Sequence, residues 1–388
     1  MASGIGIHVY VASLFAPRLL AEFGWSKADF AMVGATSLTT MVVAPLIGRI
    51  TDLLGTRRMV AIGVFTLPPC YVAHTLMTGA IWQYLALAIV TSFFGVMTTS
   101  LVYSRLVAAC FDRARGLALA AVASGSPLSA TVVSLAINEI IQGFGWRAGY
   151  WALAGLTAFV GLIVLFLMPS DAKTTTTTTR GEKRSALGDY AKSMRLPAFW
   201  LILAGMLLCN LQQPLQTPQL ALVLIDSGAT ERSAGAMVSL YAVGVLIGRI
   251  ICGAALDRLP AHWVAAGVMA IPALGLLILA SSVTDPAVLA LSVLLMGLSQ
   301  GGEGDVAAFM VARYFGVAVY SSILGLVYST ISISTALGSL LLGASLAETG
   351  TFAQYTALCV IAVLAGSAMF ALLGRQPIMS RAVRPAGA

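Results

Sequence analysis

The sequence predicts an all-α membrane protein of twelve transmembrane helices arranged as two pseudo-symmetric six-helix bundles, on three observations. Hydrophobic residues fill 59% of 388 positions and charged residues only 10%, whereas soluble domains carry roughly a quarter charged residues. Apolar runs recur along the whole chain, each long enough for the roughly 20 helical residues that cross about 30 Å of hydrocarbon. A glycine–aspartate motif recurs at matching places in the two halves.

Between charges and turn residues the runs cover roughly 4–22, 30–50, 59–78, 82–110, 116–140, 146–168, 198–225, 233–256, 262–283, 286–312, 317–345 and 351–374. The apolar part of the first ends before Pro17 and Arg18, with almost no chain ahead of it. Either that helix is short and tilted or the natural protein begins further upstream; the second is the expectation. It has neither the basic start nor the small-residue cleavage site of a signal peptide. Residues 169–196 contain six threonines, Thr174 to Thr179, followed by mixed charge, which reads as a polar linker with a short amphipathic helix near 187–195. The expected division is therefore a bundle over 1–168, a linker over 169–196, and a bundle with a short tail over 197–388.

The net charge is +7, but the basic residues do not gather on a polar domain, so nucleic acid is not the implied partner. They mark membrane topology instead. One set of alternate loops, with the linker and tail, holds Arg49, Arg57, Arg58, Arg113, Arg115, Arg258, Arg313, Lys173, Arg180, Lys183, Arg184, Lys192, Arg195, Arg375, Arg381 and Arg384. The other set holds Arg18, Lys27, Arg147 and Arg232. The excess marks the cytoplasm and places both termini inside. The expected surroundings are a lipid bilayer, with a monomer as the functional unit.

The five cysteines lie in or beside apolar runs and form no Cys-x-x-Cys pair, which suits buried thiols better than a disulfide framework or a metal site. His8, His74 and His262 are scattered, and no metal is expected. None of the four lysines follows a glycine, so the chain lacks a phosphate loop. It also lacks His-Glu-x-x-His, and its Gly-x-Ser-x-Gly, Gly297 to Gly301, lies inside an apolar run and opens no polar domain. Neither a cofactor nor an enzymatic activity is implied.

After the second run stands Gly48-Arg49-Ile50-Thr51-Asp52-Leu53-Leu54-Gly55-Thr56-Arg57-Arg58, and after the eighth Gly253-Ala254-Ala255-Leu256-Asp257-Arg258. In each, the glycine permits close helix approach. The aspartate can accept hydrogen bonds at a neighbouring helix N-terminus. A competing register, the pentapeptide Leu-Ile-Gly-Arg-Ile at 46–50 and 246–250, would separate the two motifs by five residues and is taken as coincidence.

With twelve runs and a central linker, the first motif resembles the signature loop of the major facilitator superfamily. The resemblance spans the chain. It implies alternating access in a secondary transporter, with Gly48, Asp52, Gly55, Arg57, Arg58, Gly253, Asp257 and Arg258 acting as a conformational latch between the halves. Glu22-Phe23-Gly24-Trp25-Ser26, Cys110-Phe111-Asp112-Arg113-Ala114-Arg115-Gly116 and Arg313-Tyr314-Phe315-Gly316 are similar to the bacterial branch of monocarboxylate porters and oxalate–formate exchangers. That resemblance implies a small carboxylate substrate, protons or a counter-anion as partner, and a multi-pass location in the bacterial inner membrane.

Ionisable residues inside the runs are candidate functional groups. Arg249 lies eight residues before Asp257, about 12 Å deeper, where its fork of donors suits a carboxylate. The resemblance implies that same role for the arginine of span eight; the alternative is an internal ion pair. Glu303 and Asp305, in Gly301-Gly302-Glu303-Gly304-Asp305, would either carry a coupled proton or neutralise Arg249 between substrates. Arg105 is about 9 Å inside span four and shares a helical face with Thr91 and Thr98. Arg18 follows Pro17, as a basic residue does in the porters, and is either a substrate contact or a topology marker. Gln212, Gln216 and Gln219 share a helical face in span seven, which Pro214 and Pro218 interrupt; amides there would read a small solute or bind neighbouring helices. Tyr241 could add a hydroxyl.

Two departures limit the resemblance. Valine stands at 245, where the porters place an aspartate, and residues 317–345 contain no lysine or arginine where the exchangers place a second cation. The reading that results is transport of a small organic anion, such as a monocarboxylate. Export of amphipathic drug-like solutes, or sensing without transport, stand as alternatives.

Overall fold

The computed structural model describes residues 4–99, 102–103, 115–168, 194–281, 283–315 and 320–376. Their helices follow the expected runs: α1 Ile5–Phe23, α2 Ser37–Leu54, α3 Thr56–His74, α4 Ile81–Gly95, α5 Arg115–Phe144, α6 Trp146–Leu167, α7 beginning at Pro197–Asn210, α8 Glu231–Arg258, α9 Ala261–Ala280, α10 Pro286–Phe315, α11 Tyr320–Thr349 and α12 Ala353–Leu372. Among the described residues, eight helices are individually long and apolar enough to cross a membrane. Trp82, Phe159, Phe166, Trp263 and Ile361 stand well exposed on them. A soluble monomer rarely tolerates so much exposed apolar surface, and lipid covers it without cost.

Successive helices reverse direction, so the connections fall on two faces. On one, Gly55 alone joins α2 to α3 with φ +88° and ψ 156°, a region open almost only to glycine. On the other, Gly24 ends α1 with φ +68°, and its N–H donates to the Leu20 carbonyl at 2.9 Å. Ser26 and Asp29 then form a reciprocal capping box for the short helix Lys27–Ala31, which leads through a 3-10 turn, Met32–Thr36, into α2. Span two thus begins less regularly than expected. Trp25 Nε1 donates to the Gly79 carbonyl at 2.6 Å, tying two loops of this face together. Thr230 caps α8 through Ser233 N, and Asp285 caps α10 through Ala287 N and Val288 N.

Helix α7 departs most from expectation. The continuous run foreseen over 198–225 is Pro197–Asn210, a short helix Gln213–Gln216, and a final piece Leu220–Asp226. Pro214 and Pro218 each lack a backbone donor and clash with the preceding turn, so the single face proposed for Gln212, Gln216 and Gln219 does not form.

Helices α8 and α10 pack backbone to backbone. A Cβ on Gly248 would stand 1.9 Å from the Leu298 carbonyl oxygen, and one on Gly301 would stand 2.0 Å from the Val245 oxygen. Only glycine admits that approach. At Gly253, by contrast, a Cβ would meet nothing within 4 Å, so the close contact expected at this motif glycine is not made.

The halves meet along α2 with α11, α5 with α8, and α1 with α7. On the Trp25 face this junction is closed by polar pairs. Arg18 meets Glu231 at 2.9 Å and donates to Gln142 Oε1 at 3.0 Å. Arg232 grips Glu139 with two donors at 3.1 and 2.8 Å, and Lys27 pairs with Asp226. Just below, the Ser134 and Ser239 hydroxyls share a hydrogen bond of 2.6 Å.

Candidate functional site

A cavity of about 310 Å³ lies between the halves. From the first half come Gly6, Val9 and Tyr10 of α1, Thr98 and Thr99 after α4, and Ser126 and Pro127 of α5. From the second come Gln213 and Thr217 at the break in α7, Tyr241, Val245 and Arg249 of α8, and Gln300 of α10. The break in α7 brings the amide of Gln213 to the cavity.

Arg249 is the cation of this cavity among the described residues. Its Nε is buried without a hydrogen-bond partner, and the nearest carboxylate oxygen, on Asp305, stands 3.9 Å away. That spacing supplies Coulomb attraction but exceeds a hydrogen bond. The guanidinium is thus partly compensated and still has donor capacity. The Tyr10 and Tyr241 rings, 6.1 Å apart, approach one another across the junction.

Glu303 lies one layer behind the cavity and is buried. Gln300 Nε2 donates to its carboxylate at 3.0 Å, and Gln213 Nε2 lies 3.4 Å from it. Gln213 Nε2 also donates to Gln300 Oε1 at 2.5 Å and to Asn210 Oδ1 at 3.1 Å. Two cavity amides are therefore held in place by one buried carboxyl group. Asp305, two residues on, is partly exposed beside Arg249; the two acids face different surroundings.

Of the residues picked out from sequence, Arg249, Tyr241 and Thr98 line the cavity. Gln216 is buried and accepts from the Tyr241 hydroxyl at 3.2 Å, so it supports that ring from behind. Gln212 is buried, and Gln219 donates to the Lys27 carbonyl at 3.2 Å; neither lines the cavity. Thr91 is buried away from it, and Arg18 belongs to the Trp25 face. Arg105 lies outside the described residues, as does the side chain of Asp52, although Gly48 and Asp52 both fall in the last turns of α2. Arg57 donates to the Leu165 carbonyl at 3.3 Å, joining α3 to α6, while Arg58, Asp257 and Arg258 are exposed.

Gln213, Gln300, Thr99, Ser126 and Tyr10 line the cavity without a local sequence signal that marks them, and the direction of Gln213 depends on the break in α7. His8 and His74, scattered in the sequence, are brought together by the fold, their rings within 6.4 Å.

The Major Facilitator Superfamily model matches residues 1–218 and 215–388. Human monocarboxylate transporter 11 is 24% identical over 375 residues, covering 92% of this chain and 78% of that protein. The MFS-type transporter pytF of Aspergillus terreus is 24% identical over 245 residues, covering 61% and 78%. A crystal structure of the nucleoside transporter NupG superposes with a TM-score of 0.74 at 17% identity, covering 94% of this chain and 96% of that one. An inward-facing, unoccupied bacterial homologue of the human lysosomal transporter Spinster superposes with a TM-score of 0.70 at 14% identity, covering 98% and 96%. The two superpositions establish the shared fold. With its whole length matched by the family model, the chain belongs to the major facilitator superfamily of transporters.

Proposed function

We propose that this protein is a secondary transporter of a small organic anion, with a monocarboxylate as the best-supported class, working by alternating access. The observation that carries the reading is Arg249: a guanidinium between the halves, with a buried, unbonded Nε and a carboxylate neighbour only at 3.9 Å. A partly buried charge so loosely matched favours an incoming carboxylate, which can take two charge-assisted hydrogen bonds. Asp305 balances the arginine when no anion is bound. Gln213, Gln300, Tyr241 and the Thr98 and Thr99 hydroxyls meet the remainder of the solute. A cavity of about 310 Å³ suits a small solute, and the likeness to monocarboxylate transporter 11 agrees.

In this reading residues 1–168 and 197–388 are the two moving halves, joined by the linker over 169–196. The Gly48–Arg58 and Gly253–Arg258 loops latch the cytoplasmic face, where both termini lie. The ion pairs of the Trp25 face close the opposite side.

The test is proteoliposome uptake of labelled lactate, pyruvate, formate and oxalate by wild type and Arg249→Gln. Uptake by wild type that is lost in a folded, monodisperse Arg249→Gln protein is the expected result. Uptake of an acid that survives the substitution unchanged removes Arg249 from the site.

A further inference from the structure

A second cluster of polar groups, which the anion site does not use, lies inside the first six helices. His74 is fully buried near the end of α3. Its Nδ1 sits 2.9 Å from the Cys70 carbonyl oxygen. A carbonyl can only accept, so Nδ1 carries the hydrogen and donates it. In the neutral ring Nε2 is therefore a bare lone pair, and this atom is buried without a partner. The bond to Cys70 survives protonation, because Nδ1 donates in the imidazolium as well. A proton can be added at Nε2 with no rearrangement of the ring.

The surroundings suit one positive charge. Tyr150 stacks on His74 at 4.8 Å, and the Tyr84 ring lies nearly perpendicular to it at 5.6 Å. Tyrosine faces attract cations within about 6 Å. His8 of α1 lies 6.4 Å from His74 and 5.4 Å from Tyr71. It is partly exposed, but its Nδ1 is buried and unpartnered. Unpartnered buried polar atoms are rare and costly in folded proteins, and here the two histidine nitrogens share one cage. The neighbours of His8 on α1, Val9 and Tyr10, line the central cavity.

The remaining titratable groups facing the pair are Cys70 and Tyr71 of α3, Tyr84 of α4 and Tyr150 of α6. At the His8–His74 end of the packed helices the charged residues are engaged on the Trp25 face: Glu22 with Arg147 at 2.6 Å, Arg18 with Glu231, and Glu139 with Arg232; Arg57 and Arg58 stand at the opposite end of α3. No carboxylate of these helices among the described residues is left to balance a second charge, so the pair holds at most one proton.

We propose that His8 and His74 form a one-proton site in the first six helices, loaded through His8 from the central cavity, and that this site carries the proton of proton-linked anion transport. Passing the proton inward breaks one N–H bond on His8 as one forms at His74 Nε2, so the charge stays one throughout. The site's role in transport rests on the anion-carrier reading, but its existence does not.

Two measurements separate these. The chain has three histidines, so ¹⁵N-histidine NMR of the purified protein can be assigned with His262→Gln. The expected result is one coupled protonation shared by His8 and His74, altered at His74 by His8→Gln and by the milder Tyr150→Phe. Two rings that stay neutral throughout, or that each titrate a full proton independently, overturn the proposal. In proteoliposomes, one pH unit of inward gradient supports up to about tenfold accumulation for one proton per anion. The ratio of uptake with and without the gradient should fall to one in His8→Gln and in His74→Gln. A ratio kept in both, or already one in the wild type, overturns the transport role. Absence of all acid uptake by the wild type sinks the anion reading instead, and the NMR result still decides the proton site.

Discussion

Replacing both Glu139 and Glu231 by glutamine should shift the protein towards conformers open on the Trp25 face. The two carboxylates receive Arg232 and Arg18 across the junction between halves, at 2.8 and 2.9 Å. Their side chains are 55% and 41% exposed, so each pair is solvent-screened and contributes about 0.2–1 kcal/mol. The two-donor grip of Arg232 favours the upper part of that range. Together the pairs bias the closed face by about 0.4–2 kcal/mol, a factor of about 2 to 30 in the opening equilibrium. Spin labels at the exposed positions Phe144 and Ala280, on α5 and α9 of opposite halves, would report that opening as a longer-distance population by double electron–electron resonance. High salt should enlarge the same population in the wild type and change the double variant less. Identical distance distributions in wild type and variant, at low and high salt, would refute the view that these pairs hold the face shut.

Other outcomes follow from the central site. Arg249→Lys keeps the charge but loses the planar fork, and uptake efficiency should fall about tenfold to a hundredfold, read as kcat/KM. Asp305→Asn removes the counter-charge of Arg249, so the KM for the anion should fall severalfold; a rise would show that Asp305 organises the site rather than balancing it. Gly301→Ala places a Cβ 2.0 Å from the Val245 oxygen and 2.8 Å from the Arg249 nitrogen. It should destabilise the protein by about 1–3 kcal/mol, seen as a lower melting temperature together with lost uptake.

Much of the fold was legible because its signals are local. Run length and hydropathy mark each crossing, Gly55 must be glycine for the turn it makes, and a lone arginine inside an apolar run announces Arg249. What escaped depended on tertiary placement. Pro214 and Pro218 forecast a bend, yet the bend decides which glutamine turns inward, and Gln213 lies off the face that an unbroken helix would present. His8 and His74 are adjacent only because α1 and α3 cross. The pairing of Arg18 with Glu231 likewise joins residues from opposite halves, which no spacing rule connects.

The glycine-to-carbonyl seam between α8 and α10 bears on where transport energy can come from. With Gly248 against Leu298 and Gly301 against Val245, those helices have no room to slide past each other. In the proposed alternating-access cycle Arg249, Asp305 and Glu303 would therefore travel as one rigid unit, with their mutual attraction nearly the same whichever way the cavity faces. A solute shifts the access equilibrium only through contacts that differ between the two states. Those contacts must lie on the opposite wall, with Tyr10, Thr98, Thr99 and Ser126. Affinity would then be set by one half of the molecule, and directional bias by the other.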